Sequence, residues 1–177
     1  AGKTTTIRIL ATLQVPSGGG AWIDGVNVVT EPKEVRHRLG YMPDYFGVYE
    51  GLSVTEYLDF FAQAHRLSPA RRKSAISDVV ELTDLGSLLE VEVHTLSKGM
   101  RQRLCLAQTL LHEPDLLILD EPANGLDPRA RIEFRELLTE LRRLGNTIFL
   151  SSHTLSELPP ICDSVSIIEL GLSLIHI

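Results

Sequence analysis

Residues 116–121 read LLILDE, a run of four apolar residues followed by two carboxylates. A short and wholly apolar run is typical of a strand that is buried on both faces of a parallel sheet. Asp120 would then lie at the carboxyl edge of this strand, with Glu121 just outside the sheet. The stretch therefore predicts a buried strand that ends in a pair of acidic side chains.

Short strands and amphipathic helices alternate on either side of this stretch. Further strands are predicted at 39–42, 147–150 (again buried) and 165–168, a pair of strands around the turn Asp24-Gly25 at 21–29, and helices at 4–13, 55–66, 69–83, 97–112, 129–144 and 155–162. Ser68 is predicted to be the N-cap of the helix at 69–83. Two helices are expected to bury one face each, made of Met100, Leu104, Ala107 and Leu111 in one and Phe134, Leu137, Leu138 and Leu141 in the other. This alternation predicts an α/β fold in which helices flank a mostly parallel sheet. We predict one domain over residues 1–177, with a helical subdomain inserted at about 52–112.

The composition narrows the class of protein. With 17 Lys and Arg against 23 Asp and Glu, the chain of 177 residues has a formal net charge of −6. Such an acidic domain is a poor general binder of nucleic acid or anionic membranes, because both need a basic surface. No apolar run approaches the roughly 20 residues that a membrane-spanning helix needs. Cys105 and Cys162 lie outside any metal-ligand spacing, which indicates two thiols in a reducing compartment.

The first residues carry a second chemical pattern. Gly2-Lys3-Thr4 matches the second half of G-x-x-x-x-G-K-[ST], a loop whose backbone N–H groups surround phosphates at the start of a helix. In that pattern Lys3 neutralises the phosphates and the Thr4 hydroxyl binds Mg²⁺. The first glycine of the pattern, the three residues after it and the preceding strand would lie upstream of residue 1. We therefore expect a chain truncated at its N-terminus, with the absent strand beside 116–119.

Residues 96–103, which read LSKGMRQR, form the most specific motif of the chain. Ser97 lies 20 residues before Leu117. A serine hydroxyl and glycine amides at the start of a helix form an anion site. The segment resembles the signature motif of ATP-binding-cassette (ABC) ATPases, usually written L-S-G-G-Q-x-Q-R. Lys98 and Met100 depart from the commonest form of that motif.

Three further positions are interpreted through the same resemblance. Asn124-Gly125-Leu126-Asp127 resembles the D-loop, which communicates across a pair of subunits, and His153 resembles the switch histidine, which orients water at the γ-phosphate. After the strand 39–42 the family usually has Gln, whereas this chain has Asp44. An ionised Asp is shorter than Gln and cannot donate a hydrogen bond, although it would still reach Mg²⁺ through water. Either the loop is acidic by design or the active site is detuned.

The resemblance implies the fold of a P-loop NTPase, with ATP and Mg²⁺ as cofactors. It implies nucleotide binding by Gly2, Lys3, Thr4 and Thr5, Mg²⁺ binding by Thr4 and Asp120, catalysis by Glu121 and His153, contact of Ser97 and Gly99 with the ATP of a partner subunit, and communication with that subunit through Asp127.

The function that the resemblance implies is ATP hydrolysis by a subunit of an ABC transporter, of the bacterial export type or its ABCA-like relatives. Two such subunits would pair head to tail, as a homodimer or a heterodimer. Integral membrane permease subunits would dock near residues 45–56, at the cytoplasmic face of the membrane, and no nucleic-acid partner is expected. Two alternatives stay open: a soluble cassette ATPase that acts on ribosomes or DNA, and a damaged fragment that binds nucleotide weakly.

Overall fold

The computed structural model describes residues 2–45, 47, 49–154, 162–169 and 171–176. In chain order the elements are α1 (Lys3–Leu10), β1 (Trp22–Ile23), β2 (Val26–Asn27), α2 (Pro32–Arg38), β3 (Leu39–Met42), α3 (Val54–Ala64), α4 (Pro69–Leu82), α5 (Lys98–Leu110), β4 (Leu116–Leu119), α6 (Pro128–Arg143), β5 (Thr147–Leu150), β6 (Ser166–Glu169) and β7 (Leu172–His176). Two 3₁₀ turns, Gly86–Leu88 and Val93–Thr95, lie between α4 and α5. The sequence pattern does not predict α2, because this short helix is mostly charged and buries only Val35.

A parallel three-stranded sheet in the order β3-β4-β5 positions the site. Its register pairs Leu39 with Leu116 and Leu116 with Thr147, so the three strands end at the same level. Beyond the strand ends, the backbone N–H of Asp120 donates to the carbonyl of Met42, at 2.9 Å. The segments that follow the three strands therefore converge at one edge of the sheet.

The two faces of the sheet pack into separate hydrophobic clusters, because successive side chains of a strand point to opposite faces. Leu117 and Leu119 belong to the larger cluster, which takes its other buried residues mainly from α3, α4, α5 and α6. Ile118 belongs to the smaller cluster, which is built by α1, the hairpin of β1 and β2, α2 and β3. The predicted burial of the run 116–119 is confirmed for Leu117, Ile118 and Leu119, which are each at most 1% exposed, whereas Leu116 is half-buried.

Side-chain caps fix where four helices begin. Ser53 and Glu56 form a reciprocal capping box at α3, in which each side chain binds the backbone N–H of the other residue. Ser68 caps α4, as predicted, and Ser97 caps α5. Asp127 caps α6 by accepting a hydrogen bond from the backbone N–H of Ala130 at 2.9 Å. Two residues of the predicted motifs, Ser97 and Asp127, thus also have a structural function.

One predicted core position is wrong, and a second is only partly buried. Met100 is 39% exposed, whereas Leu104, Ala107 and Leu111 are buried as expected. Met100 lies in the first turn of α5, ahead of the part of the helix that packs against α3 and α4. In α6, Leu137 is only half-buried, at the edge of the face that buries Phe134, Leu138 and Leu141.

The prediction that the strand 147–150 is buried is also wrong. In β5, Thr147 and Phe149 are exposed, while Ile148 and Leu150 are half-buried. Only one edge of β5 pairs with a strand among the described residues, and no described cluster covers its outer face. The expected place of an upstream strand beside 116–119 is wrong as well, because β3 and β5 occupy both edges of β4.

The last strands form a separate antiparallel pair. The predicted strand 165–168 is found as β6, and it pairs with β7 rather than with the three-stranded sheet. Most of the predicted helix 155–162 lies outside the described residues. Within the part of the chain that is described, no helix has both the length and the apolar character needed to cross a bilayer.

Candidate functional site

The ends of β4 and β5 and the start of α1 bring three predicted site residues together. The ammonium of Lys3 donates to Glu121 Oε1 at 2.9 Å and to the carbonyl oxygen of Ser152 at 2.8 Å. The other carboxylate oxygen, Glu121 Oε2, accepts from the backbone N–H of His153 at 3.2 Å and lies 2.7 Å from His153 Nδ1. These contacts define the Lys3–Glu121–His153 cluster, in which both oxygens of one carboxylate are bound.

The backbone at Glu121 is held in an unusual conformation. Its φ of 50° lies in the left-handed region, which non-glycine residues seldom adopt. The Glu121 N–H donates to Ser151 Oγ at 2.9 Å, and Ser151 Oγ donates to Asp120 Oδ1 at 2.7 Å. The buried hydroxyl of Ser151 therefore joins the two acidic residues and fixes the turn between them. Its position directly after the neighbouring parallel strand was the sequence signal for this role.

The surroundings of Glu121 favour its ionised form. Partial burial raises the pKa of this carboxyl, but the hydrogen bonds and charges of Lys3 and His153 together lower it more, so that the pKa lies below the usual value of a glutamate. A lower pKa makes the carboxylate a weaker proton acceptor. Any event that withdraws Lys3 would therefore make Glu121 more basic.

The start of α1 has the features of an anion site. Gly2 precedes the helix with a φ of 92°, a conformation that glycine adopts readily, and supplies no side-chain cap. A Cβ at Gly2 would lie 3.3 Å from the backbone of Gly171. Without a side-chain cap, the N–H groups of the first turn remain for an anionic ligand. Thr4 and Thr5, which directly follow Lys3 in the chain, are exposed on that turn.

The oxygen donors around the cluster fit a magnesium ion. Asp120 is buried at the end of β4, and the Thr4 hydroxyl is exposed at the start of α1. Among the described residues, no three His, Cys, Asp or Glu side chains gather as a metal-binding group. Mg²⁺ characteristically takes only one or two protein oxygens, together with water and phosphate oxygens. Thr4 and Asp120 therefore suit part of a magnesium shell.

The segment around Ser97 lies outside this cluster. Ser97 Oγ accepts a hydrogen bond from the N–H of Met100 at 3.3 Å, and a Cβ at Gly99 would lie 3.2 Å from the Cβ of Ala130. Within the described part of the chain, no hydrogen bond joins Ser97 or Gly99 to Lys3, Glu121 or His153. The structure thus divides the predicted site residues into two groups.

Residue Gln102 connects the α5 segment with the end of β4. Its buried side-chain amide donates to the carbonyl oxygen of Pro122 at 2.6 Å. Arg103 pairs with Asp84 at 3.2 Å and also with Glu133 of α6. These contacts connect the start of α5 with the loop after Glu121 and with α6, although no hydrogen bond among the described residues joins the two groups of site residues.

Asp44 and Asn124 meet across the carboxyl edge of the sheet. The Asn124 side-chain amide donates to Asp44 Oδ1 at 3.1 Å. This contact gives Asp44 a protein partner in the predicted D-loop, and Asp127 at the other end of that loop caps α6. The sequence did not predict the contact, since no local pattern links positions that lie 80 residues apart.

A small cavity of about 60 Å³ adjoins Glu121 and His153. Arg131 and Arg135, one turn apart on α6, line it together with Asn124. Arg131 also donates to the carbonyl oxygen of Leu126 at 3.0 Å. The sequence interpretation did not single out these two arginines, although their i, i+4 spacing after Asp127 places them on one face of the helix.

Comparisons with known proteins bear on the family of this chain. The family model described as "ABC transporter" matches residues 1–124. The chain is 37% identical over 172 residues to the ABC transporter ATP-binding protein NatA of Bacillus subtilis, with 97% of the chain and 70% of NatA covered. It is 39% identical over 171 residues to the daunorubicin/doxorubicin resistance ATP-binding protein DrrA of Streptomyces peucetius, covering 97% of the chain and 52% of DrrA.

A third relative and two solved structures extend the comparison. The bacitracin transport ATP-binding protein BcrA of Bacillus licheniformis is 43% identical over 172 residues, with 97% of the chain and 55% of BcrA covered. The chain thus spans little more than half the length of some curated relatives. An ATP-binding subunit of an ABC transporter superposes with a TM-score of 0.84 at 32% identity, covering 99% of this chain and 73% of that one. CbiO1 of Clostridium perfringens, part of the complex cbiONQ, has a TM-score of 0.87 at 28% identity, with coverages of 99% and 72%.

The family model covers most of the chain, and the structural neighbours share its α/β architecture over almost its whole length. This chain belongs to the ABC transporter family and has the fold of its ATP-binding subunits.

Proposed function

We propose that this chain is the ATP-hydrolysing part of an ABC exporter subunit and that the Lys3–Glu121–His153 cluster is its catalytic centre. The observation that carries the proposal is the cluster itself. It joins a phosphate-binding lysine, an acidic residue at the end of a central strand and a histidine from the neighbouring strand end, through contacts of 2.7–3.2 Å.

In this proposal the start of α1 holds the nucleotide. Gly2, Lys3, Thr4 and Thr5 surround the phosphates with backbone N–H groups, hydroxyls and one ammonium. Thr4 and Asp120 would hold Mg²⁺, which would neutralise charge on the phosphate oxygens. The buried Asp120 is suited to this role because the hydrogen bond from Ser151 fixes its carboxylate.

Glu121 acts as the general base and His153 as a positioning group. When Lys3 turns from Glu121 to a phosphate, one carboxylate oxygen loses its ammonium partner and the pKa of Glu121 rises. His153 keeps the other oxygen in place through its backbone N–H and its ring. The carboxylate therefore becomes a stronger proton acceptor at the moment when a phosphate occupies the site.

A second subunit completes the site. Ser97 is exposed, and neither Ser97 nor Gly99 contacts the cluster of its own chain within the described residues. We infer that both residues contact the nucleotide held by a partner subunit in a head-to-tail pair, and that Asp127 lies at the interface between the two. The pair is either a homodimer or a heterodimer.

The membrane partner is proposed to dock near residues 45–56. Tyr49, Phe60 and Phe61 form an aromatic patch there, with ring centroids 5.2–6.4 Å apart. Tyr49 and Phe60 are each about half exposed, at 52% and 49%. Aromatic residues are enriched where protein surfaces bind each other. We place the subunit at the cytoplasmic face of the membrane, bound to integral permease subunits.

Export is the proposed direction of transport. The relatives include proteins named for daunorubicin and doxorubicin resistance and for Nod factor export. The identity between this chain and those proteins, 39% and 37%, supports an exporter.

Dimerisation tests the proposal most directly. In the full-length subunit, Glu121→Gln slows hydrolysis, so that ATP is expected to trap the pair, which gel filtration detects. Adding Ser97→Arg should abolish the pair while the monomer still binds ATP. The same change at Ser77, an exposed position on α4, is the matched control and should leave the pair intact. Loss of ATP binding by the Ser97→Arg monomer would contradict the proposed arrangement.

A further inference from the structure

Asp44 and Lys98 are charged residues at positions where the family motifs usually have other residues. Both of them contact the loop 124–127. Asp44 Oδ1 accepts the hydrogen bond of Asn124. The ammonium of Lys98 lies against the next residue, Gly125, since a Cβ at Gly125 would overlap Lys98 Nζ and would be 3.4 Å from Lys98 Cε. An anion and a cation from distant parts of the chain therefore contact adjacent residues of the same loop.

The loop 124–127 is fixed at its two ends by contacts that do not involve these charges. The N–H of Asn124 donates to the carbonyl of Glu121 at 3.0 Å, and Leu126 is buried in the larger cluster. Asp127 caps α6. The tip, Asn124 and Gly125, is contacted from outside by Asp44 and Lys98.

Neither charged side chain is used elsewhere in the described structure. Among the described residues, Lys98 has no ion pair or hydrogen bond, and the only hydrogen bond of Asp44 is the one to Asn124. A cation in the first turn of a helix is opposed by the helix dipole, so the position of Lys98 in α5 brings no local electrostatic benefit. Its contact with Gly125 is the structural feature that distinguishes it.

We propose that Asp44 and Lys98 are positioning residues that together hold the tip of the loop 124–127 in the geometry required for hydrolysis. Asp44 holds the Asn124 side chain and Lys98 packs over Gly125. The loop starts three residues after Glu121, so its displacement would change the placement of that carboxylate. The inference rests on the proposed function, because it concerns the hydrolysis step assigned to Glu121.

The same contacts offer a physical reason for the residue type at each position. The short Asp44 side chain presents a carboxylate oxygen 3.1 Å from the Asn124 amide. Gly125 has a φ of 65° and no side chain, which leaves room for the lysine ammonium above its Cα. The two departures from the family motif therefore work on one loop rather than independently.

A double-mutant cycle in the full-length subunit tests the contact with Asp44. Asp44→Ala and Asn124→Ala should each lower kcat about 5- to 10-fold, change the KM for MgATP less than about twofold, and give no further loss when combined. Asp44→Asn retains an acceptor oxygen and should recover most of the activity. Glu90→Ala, at an exposed carboxylate elsewhere, is the matched control.

Lys98→Met tests the second contact, because it removes the ammonium and keeps most of the stem. We expect a decrease in kcat of about 3- to 5-fold without a change in KM, against no effect for Lys73→Met on the exposed side of α4. Hydrogen exchange gives a readout that needs no catalysis. The amides of 123–126 should exchange faster in Asp44→Ala, Asn124→Ala and Lys98→Met than in the parent and the two controls.

The outcomes distinguish this inference from the function on which it rests. Multiplicative losses in the cycle, or unchanged exchange in the loop, would overturn the positioning contact. A rise in the Mg²⁺ requirement for Asp44→Ala but not for Asn124→Ala would assign Asp44 to the metal instead. If Glu121→Gln hydrolyses ATP as fast as the parent, the proposed function itself is wrong.

Discussion

The two faces of the sheet support different parts of the site. On one face, the larger cluster lies beneath residues 96–103, the loop 124–127 and α6. On the other face, the smaller cluster lies beneath α1 and Lys3. Strands β3 and β4 contribute to both clusters, through Met42 and Leu117 on one side and Leu39 and Ile118 on the other. The difference shows that α1 and the segment around Ser97 pack on separate hydrophobic clusters.

The Lys3–Glu121 pair spans this division. Lys3 rests on the smaller cluster through Ile7 of its helix, whereas Glu121 follows a strand that enters both. The ion pair is short, at 2.9 Å, and its side chains are only 29% and 16% exposed. The relative position of the two clusters therefore affects the Lys3–Glu121 ion pair, and mutations on either side should affect ATP binding and hydrolysis in different ways.

The largest effect is expected on the rate of ATP hydrolysis when Glu121, the partner of Lys3, is replaced. Glu121→Gln keeps the shape of the side chain but removes the proton acceptor, so the hydrolysis rate should fall about 10²- to 10⁴-fold while ATP binding persists. Steady-state phosphate release and equilibrium ATP titration measure the two properties separately. Glu90→Gln, at an exposed position, should change neither. Equal hydrolysis rates of Glu121→Gln and the parent would remove Glu121 from the reaction.

Two neighbouring core residues of β4 belong to different clusters, so their variants can distinguish the contributions of the two clusters. Leu117→Ala and Ile118→Ala each remove a fully buried side chain and should lower the free energy of unfolding by about 2–5 kcal/mol, as measured with urea. Ile118 faces α1, so its variant should also weaken ATP binding by the folded protein, whereas Leu117→Ala should spare it. The comparison fails if both variants weaken ATP binding equally.

A smaller effect is expected at the start of α3, within the larger cluster. Ser53→Ala removes one half of the capping box and should cost about 1 kcal/mol of stability. Thermal unfolding of this variant against Ser77→Ala, a serine exposed inside α4, measures the cap apart from the general effect of the substitution. If the cap stabilises only the helical region, the affinity for ATP should be unchanged. Weaker ATP binding would show that the larger and the smaller cluster are coupled.

The smallest effect concerns the stacked rings of His65 and His112, whose centroids are 4.1 Å apart with an interplanar angle of 7°. Burial, followed by the charges of His112 and His37, lowers the pKa of His65 to about 4. The unfolded chain then binds more protons between about pH 6.5 and pH 4, so stability should fall as the pH falls through that window.

Replacement of His65 by Gln should flatten this dependence. Because the ring is partly exposed, we expect a difference of less than about 1 kcal/mol between the two pH values. Urea unfolding at pH 7 and pH 4.5 measures it, with His94→Gln, at an exposed position, as the control. A pH profile that is unchanged in His65→Gln would assign the dependence to other groups.

Much of the fold could be predicted from the sequence, because apolar runs and caps act locally. The strands 39–42, 116–119 and 147–150 are found at the predicted bounds, and Ser68 caps α4 as predicted. Burial was harder to predict. The runs LLIL and TIFL look alike in sequence, yet only the first has a strand on each edge among the described residues. What a strand pairs with depends on the whole topology, which apolar character alone does not encode.

The candidate site, like the fold, could be predicted only in part. Lys3, Glu121 and His153 were predicted from motifs, and the structure brings them together. Ser151 was not predicted as a link between Asp120 and Glu121, and neither was the contact of Asp44 with Asn124. Such contacts join segments that are adjacent only after the strands align. A motif gives the residue type that the chemistry needs, whereas the residues that hold it in place depend on tertiary structure.

The left-handed backbone of Glu121 has a consequence for mutational tolerance. Glycine, asparagine and aspartate adopt a φ of 50° more easily than glutamate, and β-branched residues adopt it least. Consider the set of variants that carry each amino acid at position 121. Their order by thermal stability should be opposite to their order by ATP turnover. Glycine or asparagine at position 121 should lower the backbone strain of the turn, so that the variant is more stable but inactive. Selection for thermal resistance alone would then drive this position away from glutamate, and only selection for turnover would retain it.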